Sequence, residues 1–458
     1  MSEDLPYRFT RQPNRTLLAL AAPAMGSLIA EPLAALIDTA FVERLGVHAT
    51  AGLGAATMVL FSTVWLFNFL NVGTQTEVAR AYGSGDRSMA GAWARLAMRM
   101  GLICGVGVAL VLGVLMDALV AFMSTDVQVQ QEARVYLQVR LLGIPGMLVT
   151  YAACGALRGL SRMRIPLLVT SLAALTNVAL DPLLMFGWGP VPGYGMAGAA
   201  AATVVGQYLA CTVAVLYIRK ELPPATGSSG SPENTPRPGR LLQVGSDMAI
   251  RTASLLFFLL MATRTALQGG ADMGAAHQAA RQVWVFTAFL LDAFAASAHS
   301  LVAYFLGARR QAVARRVVVL SLGWSIGVGC VLTTLLLPAG PLVREQLVPP
   351  GAYGAFDRIW WLCAIAQPIN ALSFLTDGIH MGSGEYRYLR NTMLLAVGIG
   401  LLGLLVLPNH SELPLLTLVW VVTSAFIGLR ALFGLLRIVP GYGPIWGRSP
   451  KTLESQGA

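Results

Sequence analysis

About twenty apolar residues in a row are enough to cross the hydrocarbon core of a bilayer, and this chain repeats such a run twelve times. The runs cover residues 16–42, 52–80, 92–122, 134–158, 164–186, 196–218, 241–268, 275–306, 312–337, 355–381, 388–408 and 412–437. Backbone N–H and C=O groups inside a bilayer find no water, so each run has to close its own hydrogen bonds as a helix. The sequence therefore predicts an all-α polytopic membrane protein with twelve transmembrane helices. Composition agrees, with 55% hydrophobic and 12% charged residues over 458 positions.

The formal net charge of +10 is compatible in principle with nucleic-acid binding. The basic residues, however, recur in the short breaks between runs instead of forming one patch, as the positive-inside rule produces. With twelve spans, Arg8, Arg11, Arg15, Arg80, Arg87, Arg158, Arg162, Arg164, Arg219, Lys220, Arg309, Arg310, Arg315, Arg316, Arg387, Arg390, Arg448 and Lys451 share one side. Little beyond Arg44, Arg134, Arg344 and Arg358 falls on the other. Both termini are expected in the cytoplasm, with the lipid bilayer as partner and no nucleic acid. The first run is too long for a signal peptide and ends without a small-residue cleavage site, so it reads as the first span. Cys104, Cys154, Cys211, Cys330 and Cys363 are odd in number and widely spaced inside apolar runs, which fits neither a disulfide framework nor a metal site.

Residues 221–239, "ELPPATGSSGSPENTPRPG", are rich in Pro, Gly and Ser and cut the chain nearly in half. Sliding the halves by 224 positions places Leu17–Leu18 on Leu241–Leu242, Gly46 on Gly270 and Gly83 on Gly307. Sliding by 223 places Pro145 on Pro368, Gly155 on Gly378, Gly159 on Gly382 and Arg164 on Arg387. The expected organisation is an N-terminal lobe at 1–220, a cytoplasmic linker at 221–240, a C-terminal lobe at 241–440 and a cytoplasmic tail at 441–458. An even number of spans per repeat makes the two six-helix lobes parallel and pseudo-symmetric, a build found in secondary transporters with alternating access.

Some residues do not suit lipid. An aspartate at mid-bilayer costs about 2.5–3.5 kcal/mol on insertion scales, so it faces water or a partner. Asp38 lies deep in the first span, and Asp181 lies in the fifth within "TNVALDPLLM", one turn after Asn177 on the same face. Pro182 cannot donate a backbone bond, which frees the Val178 carbonyl and bends the helix beside the two polar side chains. Pro32 repeats the device in the first span, next to Glu31, and Glu31 shares a face with Asp38 seven residues on. Under the repeat, Asp38 falls opposite Ala262 and Asp181 opposite Leu404, so the acidic pair belongs to one lobe.

Desolvation disfavours a charged carboxylate and a second carboxylate disfavours it further, which are the requirements of a proton switch. The same oxygens suit Na⁺, since hard cations take oxygen ligands. The alternative is that each carboxylate is a satisfied packing group near a membrane face. In the second lobe, Arg251, Arg264, Gln278, Arg281, Asp292 and Asp377 interrupt apolar runs. Arg251 and Arg281 are expected to pair with Asp247 or Asp292; functionally, Glu31, Gln278, Arg281 and Asp292 are candidates for a substrate cavity. "GWSIG" at 323–327 fits a nucleophile-elbow pattern but has no preceding strand, and its glycines are expected at a close helix contact. No Walker or HExxH pattern is present, so neither ATP, a metal nor another cofactor is implied, and the chain is not read as an enzyme.

"PAMGSLIAEPLAALIDTAFVERLG" (23–46), "NVALDPLLMFG" (177–187), "GMAGAAAATVVGQY" (195–208) and "AAHQAARQVWVFTAFLLDAFAASAHSLVAYFLGA" (275–308), in this order, resemble the multidrug and toxic compound extrusion transporters and their DNA-damage-inducible branch. The resemblance covers both lobes. It implies a monomeric antiporter in a bacterial cytoplasmic (inner) membrane that exports small organic, often cationic, toxic compounds against entry of H⁺, or alternatively Na⁺. It also implies that Asp38, Asn177, Asp181 and Thr203 respond to the coupling ion, and Asp292 matches the family pattern too. The chain departs from relatives at Glu43-Arg44, where a small residue is usual. A lipid or lipid-linked precursor flippase of related build is the competing expectation.

Overall fold

The computed structural model describes residues 5–222, 236–407, 413–438 and 445–446, without the side chains of 5–7, Glu31 and Val191. Most of the expected linker at 221–240, most of the tail at 441–458 and the Glu31 side chain lie outside the described residues.

The helices, in order, are α1 (Leu5–Arg11), α2 (Pro13–Glu43), α3 (Val47–Val64), α4 (Phe69–Gly83), α5 (Arg87–Met123), α6 (Val127–Arg140), α7 (Ile144–Gly159), α8 (Arg164–Phe186) and α9 (Gly195–Glu221). They continue as α10 (Pro238–Gln268), α11 (Ala271–Gly307), α12 (Gln311–Leu347), α13 (Tyr353–Ile365), α14 (Gln367–Ser383), α15 (Tyr386–Val406) and α16 (Leu415–Ile438). Among the described residues, eleven helical segments are long and apolar enough to cross a membrane, and twelve when α13 and α14, bent by 49° at their junction, count as one span. A two-residue antiparallel ribbon, β1 (Gly187–Trp188) with β2 (Val191–Pro192), joins α8 to α9; the run of apolar residues gave no sign of it. The expected end of the ninth span at 337 was too early, because α12 passes Pro338 and Pro341 and stops at Leu347.

The internal repeat extends to backbone detail. The segments Val47–Gly83 and Arg87–Met123 recur 224 positions later as Ala271–Gly307 and Gln311–Leu347, all 37 residues long. Gly46 and Gly270 precede the first members of these pairs at φ 114° and 101°, where a side chain would be strained. Two further left-handed turn positions repeat with different residues, Gly85 as Arg309 and Ser161 as Gly384. Pro145 and Pro368 each stand in the first turn of a new helix, α7 and α14, where a proline's missing N–H costs nothing.

Compact units, however, do not divide at the linker. One runs from Ala22 to Gly245; the other takes Ser246 onward together with the residues up to Ala21. The expected lobes at 1–220 and 241–440 therefore need correcting at the starts of α2 and α10. The reason is packing inside each unit. Arg240 Nε pairs with Glu77 Oε1 at 2.9 Å in the first unit. In the second, Phe9 meets Phe305 with ring centroids 5.9 Å apart and Asn14 Oδ1 accepts from Trp324 Nε1 at 3.0 Å. The two divisions, after Ala21 and after Gly245, fall at equivalent positions of the repeat.

Glycines matched by the repeat are contacts of helix on backbone. A Cβ on Gly105 would lie 2.5 Å from Pro145 Cα, and one on Gly329 would lie 2.6 Å from Pro368 Cα. A Cβ on Gly159 would sit 2.6 Å from the Gln75 carbonyl oxygen, and one on Gly382 2.7 Å from that of His299. Gly155 against Asn71 and Gly378 against Ala295 are tighter still. The expectation for "GWSIG" fails here, since a Cβ on Gly323 or Gly327 meets nothing within 4 Å.

At the α14–α15 turn of the second unit, Glu385 accepts from Arg437 Nε at 2.9 Å and faces His380 Nδ1 at 3.0 Å. Burial alone raises the Glu385 carboxyl, but hydrogen bonds and charge from His380 and Arg437 outweigh it and hold the group below the usual carboxylate range. A depressed carboxylate contributes stability above its unfolded value of 4.5 and loses it as pH falls through the lower folded value.

Two outcomes follow. Gly155→Val or Gly378→Val lowers stability by about 1–3 kcal/mol or more through overpacking, while Gly323→Ala is neutral to stabilising, as thermal unfolding of detergent-solubilised protein reads out. Glu385→Gln lowers the unfolding temperature at neutral pH and removes part of the loss seen below pH 4.5, the difference closing as the wild-type carboxylate is protonated.

Candidate functional site

Within the first unit, α8 packs against α9 and presents Asn177 and Asp181 one turn apart on its buried face. Asp181 is fully buried and Asn177 nearly so. Asn177 Nδ2 donates to Asp181 Oδ1 at 3.1 Å and to the Thr203 hydroxyl of α9 at 3.0 Å; that hydroxyl donates to the Ala199 carbonyl at 3.0 Å. Asp38 of α2 is buried and within electrostatic range of Asp181. The structure thus brings together Asp38, Asn177, Asp181 and Thr203.

The site is incompletely satisfied. Asp38 Oδ1 and Asp181 Oδ2 are buried with no hydrogen-bond partner among the described residues. Native interiors leave few such atoms, and a buried carboxylate oxygen without a partner is a strong bid for a proton or a cation. Pro182 stands directly after Asp181, and Pro32 lies in α2 six residues before Asp38; both helices continue past their prolines. By the covalent chemistry of proline, the Val178 carbonyl lacks its usual helical donor, which adds an oxygen near Asn177 and Asp181.

Sequence reasoning missed two members. Tyr136 of α6 is buried and within electrostatic range of Asp38 and Arg140. Arg140, at the end of α6, donates from Nη1 to Gln207 Oε1 of α9 at 2.9 Å and lies within electrostatic range of Asp38. The available signal was an arginine and a tyrosine one turn apart inside the run 134–158.

In the second unit the remaining candidates separate. Arg281 donates from Nε and Nη2 to Gln278 Oε1 one turn earlier, at 3.2 and 2.9 Å. Asp292 is eleven residues further along α11, about 16 Å by helical rise, so it is not part of that group. His277, whose Nε2 is 3.1 Å from the Thr263 hydroxyl, lines a small cavity with Arg281, Trp284, Trp420 and Ala262. Ala262 stands where the repeat has Asp38. The expected pairing of Arg251 with Asp247 or Asp292 is wrong. Arg251 and Arg430 converge on Asp377 Oδ2, the latter at 2.6 Å, and Arg390 takes Asp247 at 2.6 Å. Arg281 likewise pairs with Gln278 and not with an acid. Three helices distant in sequence, α10, α14 and α16, make the Asp377 cluster, which is why sequence order did not reveal it.

A chain of bilayer-length helices with an internal repeat, and with unpartnered buried carboxylate oxygens among the described residues of one copy, has the build of a secondary transporter. The comparisons agree. Residues 23–183 match the MatE family model. The chain is 29% identical over 460 residues to Protein DETOXIFICATION 44, chloroplastic, of Arabidopsis thaliana, covering 95% of this chain and 84% of that protein. It is 28% identical over 438 residues to DNA damage-inducible protein F of Escherichia coli K12, covering 93% and 92%. A solved structure described as MATE in complex with MaL6 superposes with a TM-score of 0.81 at 20% identity, covering 92% of this chain and 95% of that one, which shows a common fold. Residues 23–183 thus carry a MatE domain, and over most of its length the chain is similar to proteins named for detoxification and for DNA-damage induction.

The two classes of buried aspartate respond differently to neutralisation. Asp377→Asn leaves two buried guanidinium groups without a counter-charge and costs roughly 3–5 kcal/mol. Asp38→Asn and Asp181→Asn remove unsatisfied carboxylate oxygens and leave the unfolding temperature unchanged or raised, as thermal unfolding of the three variants in detergent shows.

Proposed function

We propose that the chain is an antiporter that exports organic, often cationic, toxic compounds in exchange for H⁺. The observation that carries this reading is the pair of buried, unpartnered carboxylate oxygens on Asp38 and Asp181, in a site whose repeat equivalents are Ala262 and Leu404. A group serving only the common fold would recur in both copies. A proton taken up by the pair neutralises charge in an apolar surround, and the protonated form no longer holds a cationic cargo. Removal of that charge lets α2 flex near Pro32, where a helical hydrogen bond is already missing. Solved structures of this fold are described as MATE in the bent conformation and MATE in the straight conformation, at TM-scores of 0.80 and 0.78, which supports a hinge in this fold.

Each unit charge carried down a 100 mV potential yields about 2.3 kcal/mol, so proton entry sustains a substantial cargo gradient. The distribution of basic residues favours a bacterial cytoplasmic membrane with both termini on the cytoplasmic side, and the site needs no second subunit. Relatives named for detoxification and multidrug resistance favour drug export over the lipid-flippase alternative.

The test uses purified protein in liposomes loaded with ethidium, under an imposed pH gradient and separately an imposed Na⁺ gradient. Efflux driven by the pH gradient, and lost in Asp38→Asn, is the expected result. Drive by Na⁺ alone changes the ion and keeps the site; drive by neither, or full activity in Asp38→Asn, overturns the reading.

A further inference from the structure

The turn that carries Glu385 has a counterpart in the first unit. Under the 223-position repeat, Gly384 and Glu385 fall on Ser161 and Arg162, and Ser161 and Gly384 are the left-handed residues of their turns. Arg162 Nη2 pairs with Glu221 Oε2 at the end of α9, and Arg437 Nε near the end of α16 pairs with Glu385 Oε1, each at 2.9 Å. The last helix of each unit is thus strapped to the same turn, by ion pairs of opposite polarity.

The strap of the second unit adds a titratable ring. His380 is 1% exposed, and its repeat equivalent is Leu157. His380 Nδ1 lies 3.0 Å from Glu385 Oε2, and Nε2 lies 3.0 Å from the Gly434 carbonyl oxygen of α16. A carbonyl oxygen only accepts, and so does the Glu385 carboxylate, ionised beside Arg437. Both contacts are therefore made only by a ring that donates from both nitrogens. Either neutral tautomer keeps one contact and turns a lone pair on the other oxygen.

Charges on the surrounding helices set the balance. On α14 itself, Asp377 stands three residues earlier and takes Arg251 of α10 and Arg430 of α16. On α15, the Tyr388 ring centroid is 5.2 Å from that of His380, Arg387 is exposed and Arg390 is held by Asp247. From α11, His299 packs its backbone on Gly382. α12 meets α14 through the neutral Ser325 and Gly329, while on α13 Asp357 takes Arg344 and Arg358 is exposed. Asp377 with its two guanidinium groups carries a surplus positive charge that opposes an imidazolium, and the Glu385 carboxylate favours one. These opposed demands make the second ring proton exchangeable instead of permanent.

We propose that His380 is a pH-sensitive clasp: with two protons it fastens the end of α16 to the α14–α15 turn, and on losing one to water it lets that end loosen. A histidine that gains two acceptors on folding contributes stability at low pH and loses it as pH rises, the reverse of Glu385. The arginine–glutamate strap of the first unit has no such response near neutral pH. The proposal is independent of the antiport reading, which concerns the other unit.

The experiment is amide hydrogen exchange of the whole protein in detergent at about pH 6 and about pH 9, corrected for the intrinsic exchange rate. The α16 end, residues 430–438, is expected to lose protection on the order of tenfold at the higher pH, while the α9 end, residues 214–221, keeps its own. In His380→Gln the side chain has no proton to lose, and in Glu385→Gln the amide donates to a neutral ring. The pH difference at α16 is expected to vanish in both. Wild-type ends of α16 and α9 that respond in parallel overturn the inference even if neither variant folds, and so does a pH difference that survives in His380→Gln. No transport is measured, so the antiport reading stands or falls separately.

Discussion

Low dielectric makes an unmatched charge expensive, and that cost organises this molecule. It compels the backbone into helices that close their own hydrogen bonds. It also draws distant arginines to Asp377 in the second unit, and it leaves Asp38 and Asp181 of the first each with an oxygen unpartnered among the described residues. A buried acid that is fully paired holds helices together; one that is short of a partner is available to an ion. Both kinds occur here within a single fold, which makes the contrast informative.

The two halves share their packing and divide their chemistry. Glycine contacts on the Asn71 and Gln75 backbone return on Ala295 and His299, and left-handed turns return at matching positions even where the residue is not glycine. Contacts of backbone on backbone tolerate no side chain, so they persist in both copies. Polar side chains are free of that constraint. Ala262 occupies the position of Asp38 and lines an aromatic cavity, while Cys154 stands where the other copy has Asp377. A carboxylate in one copy only leaves the two halves chemically unequal on a shared frame.

Much of the fold was legible because hydropathy and bilayer thickness leave few options. The fifth span was read at 164–186 and is helical over Arg164–Phe186; Asn177 and Asp181 were paired from their spacing alone. Where reading failed, a competing effect had won. Pro338 and Pro341 looked like a stop, yet one missing hydrogen bond at each was tolerated within a 37-residue helix. Gly323 and Gly327 had the spacing of a helix contact but face open space, because spacing does not say which side of α12 its neighbours occupy.

By itself, the sequence determined the class, the helices, the internal repeat and the one-sided placement of Asp38 and Asp181, since these depend on local hydropathy, on spacing within one helix and on comparison of the halves. Tertiary structure alone decided which groups meet across helices: Thr203 with Asn177, Arg140 with Gln207, and Asp377 with Arg251 and Arg430. Partners 26, 126 and 53 residues apart are set by how helices rotate against one another, and that rotation is fixed by close packing along their whole length and not by any short stretch.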